Sequence, residues 1–124
     1  MNLKDFIRSI QDYPKKGILF RDITTLIKDK DAFAEAINQI VERSKKYNFN
    51  KIAAIESRGF VFASAVSYIL KKPFIMLRKK NKLPAEVHSV DFELEYGTAT
   101  IEVHKDSFEK NDNVLIIDDL IATG

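Results

Sequence analysis

Apolar positions along the chain recur with two different periods, and each stretch announces an element. Leu3, Phe6, Ile7 and Ile10 follow Asn2, a good capping residue, at helical spacing and predict a short amphipathic helix through about Gln11. The segment YPKKG then breaks the pattern. A stronger stripe of Phe33, Ala36, Ile37, Ile40 and Val41, with Glu35, Gln39, Glu42 and Lys46 outside it, predicts a helix between Asp31 and Lys46 that ends at NFN. Next comes KIAAIE, an apolar run of strand length, then Ser57-Arg58-Gly59 and FVFASAVSYILKK, whose mixed small and bulky residues suit a helix buried on most sides. Pro73 opens another strand, PFIML. Strand, turn, helix and strand in this order form a βαβ unit, so the two strands are expected to lie parallel with a right-handed crossover.

From Arg78 to Glu86 the chain becomes polar and cationic, RKKNKLPAE, and reads as a mobile basic loop. SVDFELEY and TATIEVHK alternate with period two on either side of Gly97 and predict an antiparallel ribbon. After the turn-like DSFEKNDN, Val114 to Ile117 form a last buried strand with Asp118 at its carboxyl end. The chain carries no internal repeat, linker or low-complexity tract.

Composition narrows the field of functions. A length of 124 residues fits one domain. Twenty basic and eighteen acidic side chains leave a net charge of +2, far from the cationic excess of a dedicated nucleic-acid binder. There is no Cys, which removes thiolate chemistry and disulfides and fits a reducing compartment. No apolar run reaches membrane-spanning length, and MNLKDFIRS has charges where a secretory core would be, so a cytoplasmic protein without a membrane partner is expected.

Two segments sit where an open parallel sheet binds its ligands, beyond the carboxyl ends of strands. In IESRGF, Gly59 permits close backbone approach, Arg58 offers a planar cationic fork, and the amides of a helix start favour an anion; a plain tight turn with Arg58 paired to a surface carboxylate is the alternative. In VLIIDDLIATG, two carboxylates at a strand end must face water, a cation or hydroxyl donors, because burying them unpaired is prohibitive. Vicinal ribose hydroxyls suit such a pair, and the Ala122-Thr123-Gly124 turn suits a phosphate; a solvated Asp pair is the alternative.

VLIIDDLIATG resembles the phosphoribosyl-pyrophosphate motif of the type I phosphoribosyltransferases. YPKKGILFRDIT, ESRGF, RKKNKLP and ELEYG follow the order and approximate spacing of the adenine-specific members, and the resemblance covers essentially the whole chain. It implies an α/β fold: a mainly parallel twisted sheet flanked by helices, an N-terminal hood formed by residues 1–28, an incomplete core over residues 29–124, and an antiparallel hairpin. It also implies roles. Asp118 and Asp119 match the pair that holds the ribose hydroxyls, and Ala122, Thr123 and Gly124 begin the loop around the 5′-phosphate. Ser57 and Arg58 match the pyrophosphate loop, and Arg78, Lys79 and Lys82 resemble basic residues that reach pyrophosphate, commonly from the other subunit of a homodimer. Leu19, Phe20 and Arg21 fall where the hood encloses adenine, with Phe20 stacking on the base; a core aromatic beneath a loop is the alternative for Phe20. Glu95 matches a carboxylate near the base proposed as proton carrier. His88 and His104 match no functional position.

The reaction implied is adenine plus phosphoribosyl pyrophosphate giving AMP and pyrophosphate, with Mg²⁺ carried mainly by the substrate. A non-catalytic nucleotide sensor on the same fold is the rival reading, since a fold does not fix a function. The sequence stops inside the motif at Gly124, so the C-terminal elements of the fold are expected to be missing and the 124-residue polypeptide to be a poor catalyst or an inactive remnant.

Overall fold

The computed structural model describes residues 1–93 and 97–121. These fall into two compact units, Met1–Lys45 and Lys46–Gly124. In the first unit a single 3₁₀ turn, Leu3–Phe6, is capped by the Asn2 side chain, which accepts the Lys4 N–H. The expected helix does not continue to Gln11. Arg8–Gln11 instead forms strand β1, antiparallel to β2 at Leu19–Asp22, with Ile10 opposite Phe20. Cross-strand pairing and the bond from Arg8 to Asp22 override the helical spacing of four apolar residues, a spacing too short to sustain a helix alone.

A one-turn helix α1 (Thr24–Ile27) leads into α2 (Lys30–Ser44). Asp29 caps α2 by accepting the Asp31 and Ala32 N–H groups, which fixes its start close to the expected residue. Ala32, Ala36 and Ile37 are buried along its apolar stripe, and the helix packs on α1 and on the 3₁₀ turn.

The second unit is built on a five-stranded sheet in the order β5-β6-β4-β3-β7. Its strands are β3 (Lys51–Ile55), β4 (Phe74–Lys79), β5 (Val87–Glu93), β6 (Thr98–His104) and β7 (Val114–Ile117). β3 lies parallel to both β4 and β7, while β6 runs antiparallel to β4 and to β5. The parallel centre and the antiparallel ribbon are therefore one mixed sheet. Ile52, Ala53 and Ala54 of β3 are fully buried, as a central strand requires. Helix α3 (Arg58–Leu70) connects β3 to β4 and packs on both and on β7, burying Gly59, Phe62, Ala63 and Val66.

Three expectations need correction. Helix α3 is buried along one face only: Val61, Tyr68 and Ile69 are exposed. Strand β7 is not buried throughout, because among the described residues it pairs on one side only, leaving Ile117 buried but Ile116 60% exposed. The polar segment begins later than its composition indicates. Arg78 and Lys79 belong to β4, paired with Glu102 and Ile101 of β6, so only the residues after Lys79 leave the sheet.

Candidate active site

Parallel registration brings three strand ends together. Ile55 is level with Leu77, so Glu56 is level with Arg78, and Ala54 is level with Ile117, so Asp118 is level with Ile55, all at the carboxyl edge of β3, β4 and β7. Glu56 and Arg78 are in direct contact across β3 and β4, at 3.1 Å. The Glu56-Ser57 peptide is cis, and Ser57 precedes α3 as an exposed residue that makes no capping hydrogen bond with its side chain.

The start of α3 meets the end of β7 closely. A Cβ on Gly59 would lie 3.0 Å from Asp118 Oδ1 and 3.2 Å from the Ile117 carbonyl oxygen. The freedom attributed to Gly59 is thus used to seat the helix against the acidic pair. Asp118 Oδ1 accepts the Asp119 N–H at 2.8 Å, and Arg58 Nε lies 3.0 Å from Asp119 Oδ2. Arg58 does pair with a carboxylate, as the plainer reading of its turn had it, but that carboxylate is one of the motif's own. Asp119 is 7% exposed at the side chain. Burial, and then the neighbouring Asp118 carboxylate, push its carboxyl above the ordinary range against the opposing pull of Arg58.

On the other side of β3, Glu56 accepts both the Lys79 N–H and, at 3.1 Å, Arg78 Nη2. The Lys79 N–H bond is the leading reason that Glu56 titrates below the usual carboxylate range, with Arg78 and Lys82 adding to it. Arg78 Nε is buried with no hydrogen-bond partner among the described residues. Lys79 and Lys82 are exposed. The arrangement offers two guanidinium groups, two ammonium groups and an acidic pair along one edge, a combination that suits a ligand with both hydroxyls and phosphates.

In the first unit, Leu19 and Arg21 are exposed, and Arg21 donates to the Ser9 hydroxyl. Phe20 is half-buried, its ring edge-to-face on Tyr13 at 5.1 Å between centroids. Just beyond, Asp22 is buried and accepts from Arg8, the Thr24 N–H at 2.9 Å and the Thr24 hydroxyl at 2.7 Å. Those bonds, the Thr24 hydroxyl first, bring its carboxyl down to about 2. Sequence reasoning does not single out Asp22 or Glu56; the Asp-x-Thr spacing before α1 signals the first, whereas nothing local signals the second. Glu95, Ala122, Thr123 and Gly124 lie outside the described residues.

Comparison with known proteins gives the family. The phosphoribosyl transferase domain model matches residues 23–124. An adenine phosphoribosyltransferase of Pelagibacter ubique is 86% identical over all 124 residues, which span 71% of that protein. The chain belongs to the phosphoribosyl transferase family, in its adenine phosphoribosyltransferase branch. The adenine phosphoribosyltransferase of Thermoanaerobacter pseudethanolicus superposes with a TM-score of 0.95 at 47% identity, over 98% of this chain and 71% of that one. That of Saccharomyces cerevisiae, solved with D-2,5-dideoxy-2,5-imino-altritol 1,6-bisphosphate and adenine, gives a TM-score of 0.89 at 32% identity over 98% and 72%. The α/β fold of the type I phosphoribosyltransferases, with its antiparallel ribbon, is therefore the fold of this chain.

Proposed function

We propose that the protein transfers the phosphoribosyl group of phosphoribosyl pyrophosphate to adenine in purine salvage, forming AMP and pyrophosphate. The carrying observation is the convergence of Arg58, Arg78 and the Asp118-Asp119 pair on one edge of three parallel strands, in a chain 86% identical to an adenine phosphoribosyltransferase. Asp118 and Asp119 accept the ribose 2′- and 3′-hydroxyls in charge-assisted bonds, and Ala122, Thr123 and Gly124 open the 5′-phosphate loop. Ser57, Arg58, Arg78, Lys79 and Lys82 meet the pyrophosphate, where their charges stabilise the leaving group as its bond to the anomeric carbon breaks. Residues 1–28 act as the hood, with Phe20 stacked on the base and backbone groups from Leu19 to Arg21 reading its edge. Glu95 carries the proton of the attacking nitrogen.

Among the described residues no three acidic or His side chains cluster as a metal cage, and Mg²⁺ is carried mainly by the oxygens of phosphoribosyl pyrophosphate. Carried in this way, Mg²⁺ would neutralise charge on the departing pyrophosphate. A homodimer belongs to the same proposal, supported by the exposed Val61, Tyr68 and Ile69 of α3. No helix among the described residues is long and apolar enough to cross a membrane, and we place the enzyme in the cytoplasm. The test is the full encoded chain assayed with Mg²⁺, phosphoribosyl pyrophosphate and either adenine or hypoxanthine. AMP and equimolar pyrophosphate from adenine, with little IMP from hypoxanthine, is the expected result. Preference for the 6-oxopurine, or no turnover of either base, would refute the assignment.

A further inference from the structure

The basic segment at the end of β4 and beyond is held by its main chain, and two of its holders are acidic. Glu56 takes the Lys79 N–H on Oε1 while its Oε2 faces the Arg78 guanidinium at 3.1 Å. Glu102, in β6 and opposite Arg78 in the ladder, takes the Asn81 N–H at 2.8 Å, where the chain turns through φ +67°. His104, the last residue of β6, takes the Ala85 N–H on Nε2 at a longer 3.3 Å. Lys79, Lys80 and Lys82 stay exposed between these fixed points.

Two features make this more than a closed turn. Glu102 is a buried residue, 9% exposed, and makes no ion pair among the described residues, so its carboxylate serves the segment's main chain. A buried acceptor with that single partner leaves the Asn81 N–H without a protein acceptor among the described residues when it is removed, which is how Glu102 holds the turn. Secondly, Glu56 directly precedes Ser57 and Arg58 in the chain while its side chain holds Arg78 and the Lys79 N–H, so one residue links both cationic segments of the edge. Lys82 adds a small attraction to the Glu56 carboxylate, the least of the causes that hold it below the usual range.

We propose that Glu56 and Glu102 are positioning residues for pyrophosphate, fixing the main chain at Lys79 and Asn81 so that Arg78, Lys79 and Lys82 are ordered before the substrate binds. The inference rests on the reading that these cations meet pyrophosphate. Ordering in advance removes a loop-fixing cost from binding and from the transition state.

The test uses Glu102→Ala, Glu102→Gln and Glu56→Ala in the full encoded chain. Three quantities are read: trypsin cleavage after Lys79, Lys80 and Lys82, its suppression by inorganic pyrophosphate, and the separate KM values for phosphoribosyl pyrophosphate and adenine. Both Ala variants are expected to be cut roughly tenfold faster there and to show a KM for phosphoribosyl pyrophosphate raised by about tenfold, the equivalent of one lost charged hydrogen bond. The KM for adenine stays put. Glu102→Gln keeps an acceptor oxygen and restores both readings. Wild-type cleavage and KM in both Ala variants, or an equal rise in both KM values, overturns the proposal. Should Glu102→Ala fail to fold, Glu56→Ala alone decides between the two outcomes. Should the wild type make no AMP, the functional reading fails separately, and pyrophosphate protection still decides: lost in the Ala variants it supports the positioning role, retained it refutes it.

Discussion

Asp22 and Asp112 are held by the same device at two unrelated places. Asp112 accepts from Asn50 Nδ2 and the Glu109 N–H, each at 2.7 Å, and pairs with Lys51 Nζ at 2.7 Å; these bonds, that of Lys51 first, bring it to about 2. A carboxyl whose folded value lies below its unfolded one stabilises the fold above the unfolded value and loses that contribution as the pH falls toward the folded one. Stability is therefore expected to fall between pH 3.8 and about 2, and Asp112→Asn should flatten that acid limb in thermal melts while lowering stability at neutral pH. An unchanged acid limb would mean that the Lys51 pair contributes nothing. Phe20 poses a different question at the same scale, because its ring already has Tyr13 as a neighbour. If it stacks on the base, Phe20→Ala weakens adenine by roughly 1 to 3 kcal/mol and leaves phosphoribosyl pyrophosphate alone. Unaltered adenine affinity in calorimetry would confine the ring to packing against Tyr13.

Between elements, the tightest joint in the candidate site is α3 against β7. Gly59→Ala would force a Cβ to 3.0 Å from Asp118 Oδ1 and 3.2 Å from a backbone oxygen that cannot swing aside. Helix and strand must part slightly, so a loss of about 1 to 3 kcal/mol in stability is expected, with weaker binding of phosphoribosyl pyrophosphate. Full stability and affinity in the Ala variant would show that the joint is slack. Lys82 contrasts with Gly59, being an exposed residue beyond β4. Lys82→Ala should lower turnover with no change in melting temperature, and a large drop in melting temperature would make it structural instead.

Much of this element-level organisation is legible from the sequence, and what is not has a physical reason. The period-two ribbon and the apolar runs of β3 and β4 declare themselves because each side chain's burial follows from its own strand. Arg8–Gln11 does not, because it becomes a strand only through Leu19–Asp22, and a four-residue spacing holds no trace of a partner elsewhere. Glu56 and Glu102 read as ordinary charges for the same reason: what they accept is a main-chain N–H brought to them by strand pairing. The exposed Ile116 reflects which sheet edge β7 occupies, a property of topology rather than of its composition.

At the scale of the molecule, the proposed function divides the labour of one reaction between the two units. Leu19, Phe20 and Arg21, proposed for the base, lie in the first unit, and the strand ends proposed for the phosphoribosyl group and pyrophosphate lie in the second. Each half has its own chemistry, an aromatic face in one and an edge of guanidinium and carboxylate groups in the other, so damage to one should be felt through one substrate. The most direct measurement is steady-state AMP formation, with Mg²⁺, by the full encoded chain and by its Asp118→Asn, Asp119→Asn double variant. Each charged hydrogen bond to a ribose hydroxyl contributes about 1.5 to 3 kcal/mol, so two together amount to a hundredfold or more in affinity. The predicted result is AMP formation by the wild type, and in the double variant a fall of at least about a hundredfold in kcat/KM for phosphoribosyl pyrophosphate with the KM for adenine nearly unchanged. A wild type that forms no AMP, or a double variant that loses both substrates equally or neither, would contradict this division of labour.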